Sequence, residues 1–291
     1  MILVTGATGQ FGSKAIEYLL NKGVKPSEIS ALVRDAANAD HLKSKGIEVR
    51  VGNYTDYDSL VKAFQGIEKL LLVSSNDRQA VENRTAHHIN AIKAAKSANV
   101  KHVVYTSFVR EAGFEDSAIA AFQDSHVQTE AYLIASGLDY TILQNGIYLE
   151  MIPVFAGEKV GETGVLLFPA ADGKASYVLR EELAEAAAEI LTIDGHEKQI
   201  YSLTNSASVS FKEIAKAIAD QLGKDVDYQS LAVETFEAKL KQFGVPDLYI
   251  GMFTMWATAQ AQGAMDVVDD TLERFLGRKP TTMSQFIAQI Y

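Results

Sequence analysis

Cysteine is absent from the 291-residue chain. Its absence excludes disulfide bonds, catalysis by a thiolate and zinc sites with thiolate ligands, and it fits a reducing compartment. The chain also lacks any stretch of about 18 apolar residues without a charge or a turn signal, so we expect no membrane-spanning segment. Met1 leads straight into the apolar run Ile2–Val4, which leaves no room for a secretory leader. We therefore expect a cytoplasmic protein.

Positive charge is in short supply as well. The chain has 27 Lys and Arg against 37 Asp and Glu, which gives a formal net charge of -10 at pH 7. Such a charge repels polyanions, so nucleic acid is not an expected partner. A single well-placed arginine can still hold one phosphate, because the net charge is screened beyond about 8 Å in physiological salt.

What the sequence does contain is a regular alternation of strand-like and helix-like segments. Short apolar runs separate amphipathic stretches that are long enough to cross over a sheet. This alternation predicts an α/β fold, a Rossmann-type doubly wound parallel sheet with helices on both faces. The predicted strands are Ile2–Val4, Ile29–Val33, Glu48–Val51, Lys69–Val73, His102–Thr106 and Tyr140–Leu143, and the helices include Gly12–Asn21, Ser59–Phe64, Gln79–Ser97 and Ser125–Ala135.

Beyond about residue 145 the alternation loosens, and glycine and proline become frequent. A strong Ala-rich helix over Glu181–Leu191 is followed by a strand over Gln199–Leu203, a helix over Phe211–Leu222, a strand near Val226–Tyr228 and several C-terminal helices. We therefore predict a Rossmann domain over residues 1–150. Residues 151–291 are predicted to form a smaller α+β substrate-binding portion, packed tightly against the first and sharing some elements with it.

The loop between the first strand and the first helix carries glycines at a spacing of three, Gly6, Gly9 and Gly12. In a dinucleotide-binding loop the first glycine permits the sharp turn, the second lets the backbone approach the pyrophosphate, and the third allows close packing of helix on strand. The helix N-terminus favours the negative charge of the phosphates. This pattern indicates a dinucleotide site, and the alternative is an ordinary strand-to-helix turn.

The residue after the second strand decides which dinucleotide is bound. NAD enzymes place a carboxylate there for the ribose hydroxyls, and NADP enzymes place an arginine for the 2′-phosphate. Here the residue is Arg34, whose planar guanidinium suits bidentate phosphate contact. It favours NADP(H), although the neighbouring Asp35 argues the other way, and Arg34 can also be read as a solvated loop charge.

Five segments together resemble the NmrA-like group of atypical short-chain dehydrogenases/reductases, in particular its bacterial quinone reductases and triphenylmethane dye reductases. The resemblance runs along the whole chain. The first segment is shared by many reductases, epimerases and sensors, whereas the later ones are typical of this group. The segments are Val4–Gly12, Val33–Arg34, Val100–Ser107, Tyr140–Gly146 and Gly277–Thr282.

The resemblance implies where the cofactor is contacted. All implied positions lie at the carboxyl ends of predicted strands, where ligands of open α/β sheets bind. For the two serines that follow the fourth strand, the alternative is a role as helix N-caps. The implied contacts are Thr8, Gly9, Gln10, Phe11, Arg34, Ser74, Ser75, Gln144 and Asn145.

The Tyr-x-x-x-Lys pair with which the wider superfamily reduces carbonyls is missing after the fifth strand. Such a pair occurs once, as Tyr18 and Lys22 in the first helix, and we interpret it as chance. The helix expected to carry the pair has His126 and Glu130, which share one helical face. His126 is therefore our candidate catalytic residue, and its alternative is a hydrogen-bonded wall residue.

The missing pair favours conjugated hydride acceptors. A quinone accepts hydride to give a phenolate-type anion, with a pKa of about 10, so positioning can suffice where a simple ketone needs a strong acid. Tyr105, Tyr148 and Phe155 are candidate walls for a flat aromatic substrate, together with the stretch Leu248–Trp256, and ordinary core is the alternative for these residues.

We therefore expect an NADPH-dependent reductase of a quinone-like acceptor, with a homodimer as the candidate assembly. The scattered histidines predict no metal site, and the absence of a Gly-x-Ser-x-Gly motif leaves hydrolase chemistry unsupported. The main alternative is a non-catalytic NADP(H)-sensing regulatory protein, which the missing pair fits equally well. A nucleotide-sugar epimerase ranks last, because such enzymes usually need the same Tyr/Lys pair.

Overall fold

A computed structural model describes residues 1–75, 83–157 and 159–291. Its central feature is a seven-stranded sheet with the strand order β3-β2-β1-β4-β5-β6-β9. The first six of these strands are parallel neighbours. The strands are β1 (Ile2–Val4), β2 (Ile29–Val33), β3 (Glu48–Val51), β4 (Lys69–Leu72), β5 (His102–Phe108), β6 (Asp139–Asn145) and β9 (Gln199–Leu203).

The order of the strands reverses at β1, which lies between β2 and β4. Ile2 pairs with Ile29 on one side and with Lys69 on the other. The central β5 is buried along all seven residues, as expected for a parallel sheet covered on both faces. The predicted α/β fold with a Rossmann-type sheet is confirmed, and β5 and β6 extend beyond their predicted ends.

Helices connect the parallel strands. Helix α1 packs against α8, and α3 packs against α4. The helix predicted from Gln79 is described only from Arg84 onward, because residues 76–82 lie outside the described residues. The connecting helices are α1 (Gln10–Asn21), α2 (Asp40–Lys43), α3 (Tyr57–Ala63), α4 (Arg84–Ser97), α5 (Ala120–Ala135) and α8 (Arg180–Thr192), with 3₁₀ turns at Pro26–Glu28 and Ala36–Ala39.

Glycines in the left-handed region follow the ends of several of these helices. Gly23 follows α1 with a φ of 86°, and Gly137 follows α5 with a φ of 81°. Both angles lie in the left-handed region, which costs a residue with a Cβ but not glycine. The start of α5 was predicted less well, since the helix begins at Ala120 and not at Ser125.

The C-terminal part has short strands and shorter helices. Strand β7 pairs with β11, and β8 pairs with β10. Helix α9 begins after Ser210, whose side chain and that of Glu213 form a capping box. The elements are α6 (Ile152–Ala156), α7 (Val160–Thr163), β7 (Val165–Leu167), β8 (Lys174–Ala175), β10 (Val209–Ser210), α9 (Phe211–Leu222), β11 (Asp227–Gln229), α10 (Val233–Gln242), α11 (Asp247–Ala261), α12 (Thr271–Leu276) and α13 (Met283–Ile290), with 3₁₀ turns at Phe114–Asp116 and Leu149–Met151.

The chain forms two compact units that do not follow a single cut in the sequence. Unit 1 consists of Met1–Phe108, Asp124–Asn145 and Arg180–Ser202. Unit 2 consists of Val109–Gln123, Gly146–Leu179 and Leu203–Tyr291. The segment 180–202 falls in unit 1 because α8 packs on α1 and β9 extends the sheet beyond β6.

A helix that crosses a membrane needs about 20 consecutive, mostly apolar residues. Within the described ranges, no helix combines the length and the apolar character needed to cross a membrane.

Candidate functional site

The glycine loop of unit 1 is shaped by contacts that only glycine allows. Gly6 has a φ of 58°, and its carbonyl oxygen accepts a hydrogen bond of 2.9 Å from the amide of Gly9. A Cβ on Gly12 would stand 2.4 Å from the oxygen of Gly6, far inside van der Waals contact, and a Cβ on Gly9 would stand 3.2 Å from the same oxygen. The three glycines therefore keep the turn tight and bring helix α1 close to β1.

The start of α1 faces outward without a capping side chain. Its N-cap is Gly9, and within this fully described turn no acidic residue follows. The first amides of a helix have no partner inside the helix and carry partial positive charge, so they suit a phosphate group. Thr8, Gly9 and Gln10 are exposed here, while Phe11 is buried and anchors the loop. The predicted loop residues thus fit a pyrophosphate.

Arg34 and Asp35 follow β2, whose five residues are all buried. Arg34 is exposed. The carboxylate of Asp35 accepts a hydrogen bond of 2.9 Å from the amide of Ala37 and so caps the following 3₁₀ turn. Asp35, which argued for NAD in the sequence, is therefore engaged in a local structural contact.

Ser74 and Ser75 come just after β4, and both are half-buried. The amide of Ser74 donates to the hydroxyl of Thr106 at 2.8 Å, and the amide of Ser75 donates to Nε2 of His88 at 3.0 Å. The backbone of both serines is thereby fixed by side chains of β5 and α4. The alternative role as N-caps concerns residues 76–82, which lie outside the described residues.

A cluster of polar side chains lies at the carboxyl ends of β5 and β6. The hydroxyl of Ser107 donates a short hydrogen bond to the carboxylate of Glu130, which is 4% exposed. The amide nitrogen of Gln144 lies 3.4 Å from the same carboxylate. Asn145 is 1% exposed, and neither its amide oxygen nor its nitrogen has a hydrogen-bond partner among the described residues. Because a buried unpaired amide is costly, Asn145 fits a ligand that would satisfy it.

His126 lies on α5 and is 3% exposed. Its Nδ1 is 2.8 Å from the hydroxyl of Tyr105, and its Nε2 is 3.4 Å from the guanidinium of Arg84. Both ring nitrogens therefore face protein groups. The catalytic role of His126 stays a prediction.

Tyr105 was predicted to line a substrate pocket, and in the structure it lies within β5 as part of the hydrophobic core. Its side chain has no exposed surface and packs among residues such as Leu133 and Ile142. Burial raises the pKa of its hydroxyl well above the ordinary value, so the phenol stays protonated. In this position Tyr105 contacts His126 and not solvent.

The two other predicted pocket residues lie in unit 2. Tyr148 is half-buried and forms an isolated bridge with Val178. Phe155 is 5% exposed and stacks on Phe168 at 4.9 Å, with Phe253 of α11 edge-on at 6.1 Å. The predicted wall stretch 248–256 therefore does approach Phe155, within an aromatic cluster of this unit.

Tyr18 and Lys22 point from α1 towards α8. The hydroxyl of Tyr18 donates to Glu181 at 3.2 Å, and the ammonium of Lys22 forms a short ion pair with Glu189. The pair is thus engaged in helix packing. Among the described residues, no three His, Asp or Glu side chains form a group suited to a metal ion.

Sequence reasoning missed His88 and Ser107. His88 was counted only among the scattered histidines, yet it is fully buried and contacts the backbone after β4. A usable signal was present, since Arg84 and His88 repeat the i, i+4 spacing of His126 and Glu130. Two such pairs on helices flanking one strand indicate a shared polar layer.

A seven-stranded parallel sheet with a tight glycine loop between β1 and α1 defines the class of Rossmann-type dinucleotide-binding folds. The chain belongs to the NmrA-like family, whose model matches residues 1–287.

Individual relatives match the chain over its whole length. Quinone oxidoreductase 2 of Escherichia coli K12 is 37% identical over 291 residues, which cover 100% of this chain and 99% of the relative. The crystal structure of an Escherichia coli NADPH-dependent quinone oxidoreductase complexed with NADPH has a TM-score of 0.92 at 37% identity and covers 100% of this chain and 99% of that one. The triphenylmethane reductase of Citrobacter sp., complexed with NADP(H), has a TM-score of 0.91 at 34% identity and covers 100% of both chains.

Proposed function

We propose that the protein is an NADPH-dependent reductase that passes hydride to a quinone or a similar conjugated acceptor. It is an NAD(P)H-dependent oxidoreductase of the NmrA-like family. The observation that carries the proposal is the match, over the full length of both chains, to an NADPH-dependent quinone oxidoreductase in complex with NADPH. The tight glycine loop supports it from this chain's own geometry.

The residues proposed to hold the cofactor all belong to unit 1. Bound NADPH would supply the hydride. The loop Thr8–Phe11 and the amides of α1 would bind the pyrophosphate, and the exposed Arg34 would pair with the 2′-phosphate. Ser74, Ser75 and Gln144 would contact the remaining part of the cofactor, and the buried amide of Asn145 would gain a hydrogen-bond partner there.

The side chains of α5 support a conjugated molecule as the hydride acceptor. At the helix that usually carries a Tyr/Lys pair, this chain has His126 and Glu130, both buried and both in contact with neighbouring hydroxyls. No lysine is there to lower the pKa of a phenol. A quinone needs one hydride and one proton to become a hydroquinone, and its anionic intermediate is a weak base, so orientation supplies most of the rate.

The proposal is tested by following the ultraviolet absorbance of NADPH with the purified protein. We expect oxidation in the presence of benzoquinone or of the cationic dye malachite green, and none above background with cyclohexanone, which requires an acid catalyst. Tight binding of NADPH without turnover of any of these acceptors would contradict the proposal and favour a sensing role.

A further inference from the structure

The backbone immediately after β4 is held by side chains from three separate parts of unit 1. Beyond the last ladder residue of this strand, three consecutive amides each donate to a side chain that comes from a distant part of unit 1. The pairs are Val73 with the hydroxyl of Thr5 at 2.8 Å, Ser74 with the hydroxyl of Thr106 at 2.8 Å, and Ser75 with Nε2 of His88 at 3.0 Å.

This arrangement fixes a path of backbone that the sheet itself does not fix. Residues 73–75 lie at the carboxyl edge of the sheet, where ligands of this fold class bind. A stretch that binds a ligand through its backbone gains from being held in one conformation beforehand, because less entropy is lost on binding. The three acceptors therefore act on the site and not only on the core.

His88 differs from the two threonines because its acceptor is a titratable nitrogen. Nε2 accepts the amide of Ser75, so it carries no proton. The hydrogen of the neutral ring is then on Nδ1, which lies 3.1 Å from the hydroxyl oxygen of Thr129. Thr129 donates its own hydrogen to the carbonyl of Ser125 at 2.7 Å, which leaves its oxygen to accept from His88. The hydrogen-bond pattern thus assigns one tautomer.

The same ring is connected to the candidate catalytic histidine. Nδ1 of His88 is 3.3 Å from the hydroxyl of Tyr105, and that hydroxyl is 2.8 Å from Nδ1 of His126. All three side chains are almost fully buried, with exposures of 0%, 0% and 3%. In a low-dielectric interior such a chain is rigid, because breaking one contact leaves a buried polar atom unpaired.

We propose that His88 is a positioning residue for the cofactor site, which fixes the Ser75 backbone as a neutral acceptor and couples it through Tyr105 to His126. The inference rests on the proposed function, because it assumes that the strand end after β4 contacts NADPH. It adds a specific residue to that site and a reason why the residue must be an uncharged hydrogen-bond acceptor.

Three substitutions of His88 distinguish the role of its hydrogen-bond acceptor from the role of its ring in packing. His88→Gln places an amide oxygen near the position of Nε2, where it can accept the amide of Ser75. His88→Asn has the same chemistry but is too short to reach Ser75. His88→Phe keeps the ring shape and removes the acceptor. His87→Gln, at the next position on the same helix, is the matched control.

The readouts are NADPH affinity by nicotinamide fluorescence, KM and kcat with benzoquinone, and thermal melting of the full chain. Leaving a buried amide unpaired should weaken NADPH binding by about tenfold in the Phe and Asn variants. KM for NADPH should rise with it while kcat at saturation changes by less than about threefold. The Gln variant and the His87 control should bind NADPH within about twofold of the wild type.

The outcomes are distinguishable. If the folded Phe and Asn variants bind NADPH as tightly as the wild type, or if the Gln variant is as weak as they are, the inference is wrong. A merely structural histidine would lower the melting temperature without moving the affinity measured well below it. If His88→Phe does not fold, the comparison of Gln with Asn decides alone. If the wild type itself does not bind NADPH, the proposed function fails first.

Discussion

Two regions of unit 1 are proposed to contact the same cofactor, yet they are held in place by opposite means. The glycine loop after β1 is shaped by its own backbone, through a left-handed Gly6 and the close approach of Gly12 to the Gly6 carbonyl. The stretch after β4 is shaped by side chains of β5 and α4 and by Thr5, which follows β1. One site is local in sequence, and the other depends on the assembled sheet.

The difference teaches where each site is vulnerable. A tight backbone turn is disrupted when a glycine gains a Cβ, because the Cβ collides with a backbone carbonyl of the same loop. That carbonyl cannot move aside without changing the turn. A stretch held by side chains fails when an acceptor is removed, and the loss is limited to the value of one buried hydrogen bond, about 1–3 kcal/mol. Substitutions in the two regions should therefore differ in size.

The largest effect is expected in the glycine loop. Gly12→Ala places a Cβ 2.4 Å from the Gly6 oxygen and 2.8 Å from its carbon, so α1 must move away from β1. We expect NADPH affinity to fall by roughly a hundredfold or more, since misplacement of the helix removes the phosphate contacts together. Isothermal titration with NADPH checks this.

The control for that substitution is Gly251→Ala in α11. Among the described residues, nothing beyond the chain neighbours and the helix's own backbone lies within 4 Å of a Cβ at Gly251, and alanine is the better helix former. This variant should bind NADPH normally and melt at the same or a slightly higher temperature. Equal NADPH affinity of Gly12→Ala and the wild type would mean that the glycine spacing does not shape a phosphate site.

A smaller effect is expected at Arg34, which lies outside both regions. Arg34→Asp removes a charge-assisted contact with the 2′-phosphate and adds a like charge, so the ratio of NADPH to NADH affinity should fall roughly 30-fold. Asp35→Asn is the matched control, because asparagine can still cap the turn at Ala37. An unchanged ratio in Arg34→Asp would remove Arg34 as the reader of the phosphate.

The sequence predicted the features that depend on residues near one another in the chain, but not those that depend on contacts across the assembled sheet. The strand positions and the turn at Gly6–Gly12 depend on residues close in the chain, and the structure agrees with these predictions. The partners of Ser75 and Glu130 lie 13 and 23 positions away and meet only because β4, β5 and β6 are neighbours. No periodicity reports such a contact.

The buried, unpaired side-chain amide of Asn145 could likewise not be predicted from the sequence. An asparagine at the end of a strand is usually exposed or caps a turn, and only the packing around β6 shows that this one is buried without a partner among the described residues. The sequence also did not predict that residues 180–202 belong to unit 1. Their place in unit 1 depends on the contact of α8 with α1, which are far apart in the chain.

The smallest expected effect is the pH dependence of stability that arises from His88, the residue that holds the backbone of Ser75 after β4. Burial, with a smaller contribution from the positive charge of Arg84, lowers the pKa of His88 from its ordinary 6.5 to about 3. The unfolded chain takes up this proton below about pH 6.5, while the folded protein takes it up only near pH 3. His88 therefore costs almost no stability above about pH 7.5 and a growing amount as the pH falls, about 1.4 kcal/mol at pH 5.5.

This pH effect is measured by urea unfolding of the wild type and of His88→Gln between about pH 7.5 and 5. Burial also lowers the pKa of His102 and His196, but these groups are present in both proteins, so their contributions cancel in the difference. The stability gap between the two proteins should shift in favour of the Gln variant by about 1.4 kcal/mol on going from pH 7.5 to 5.5. A gap that stays constant across this range would mean that His88 takes up its proton in the folded protein, and a protonated Nε2 could not accept the amide of Ser75.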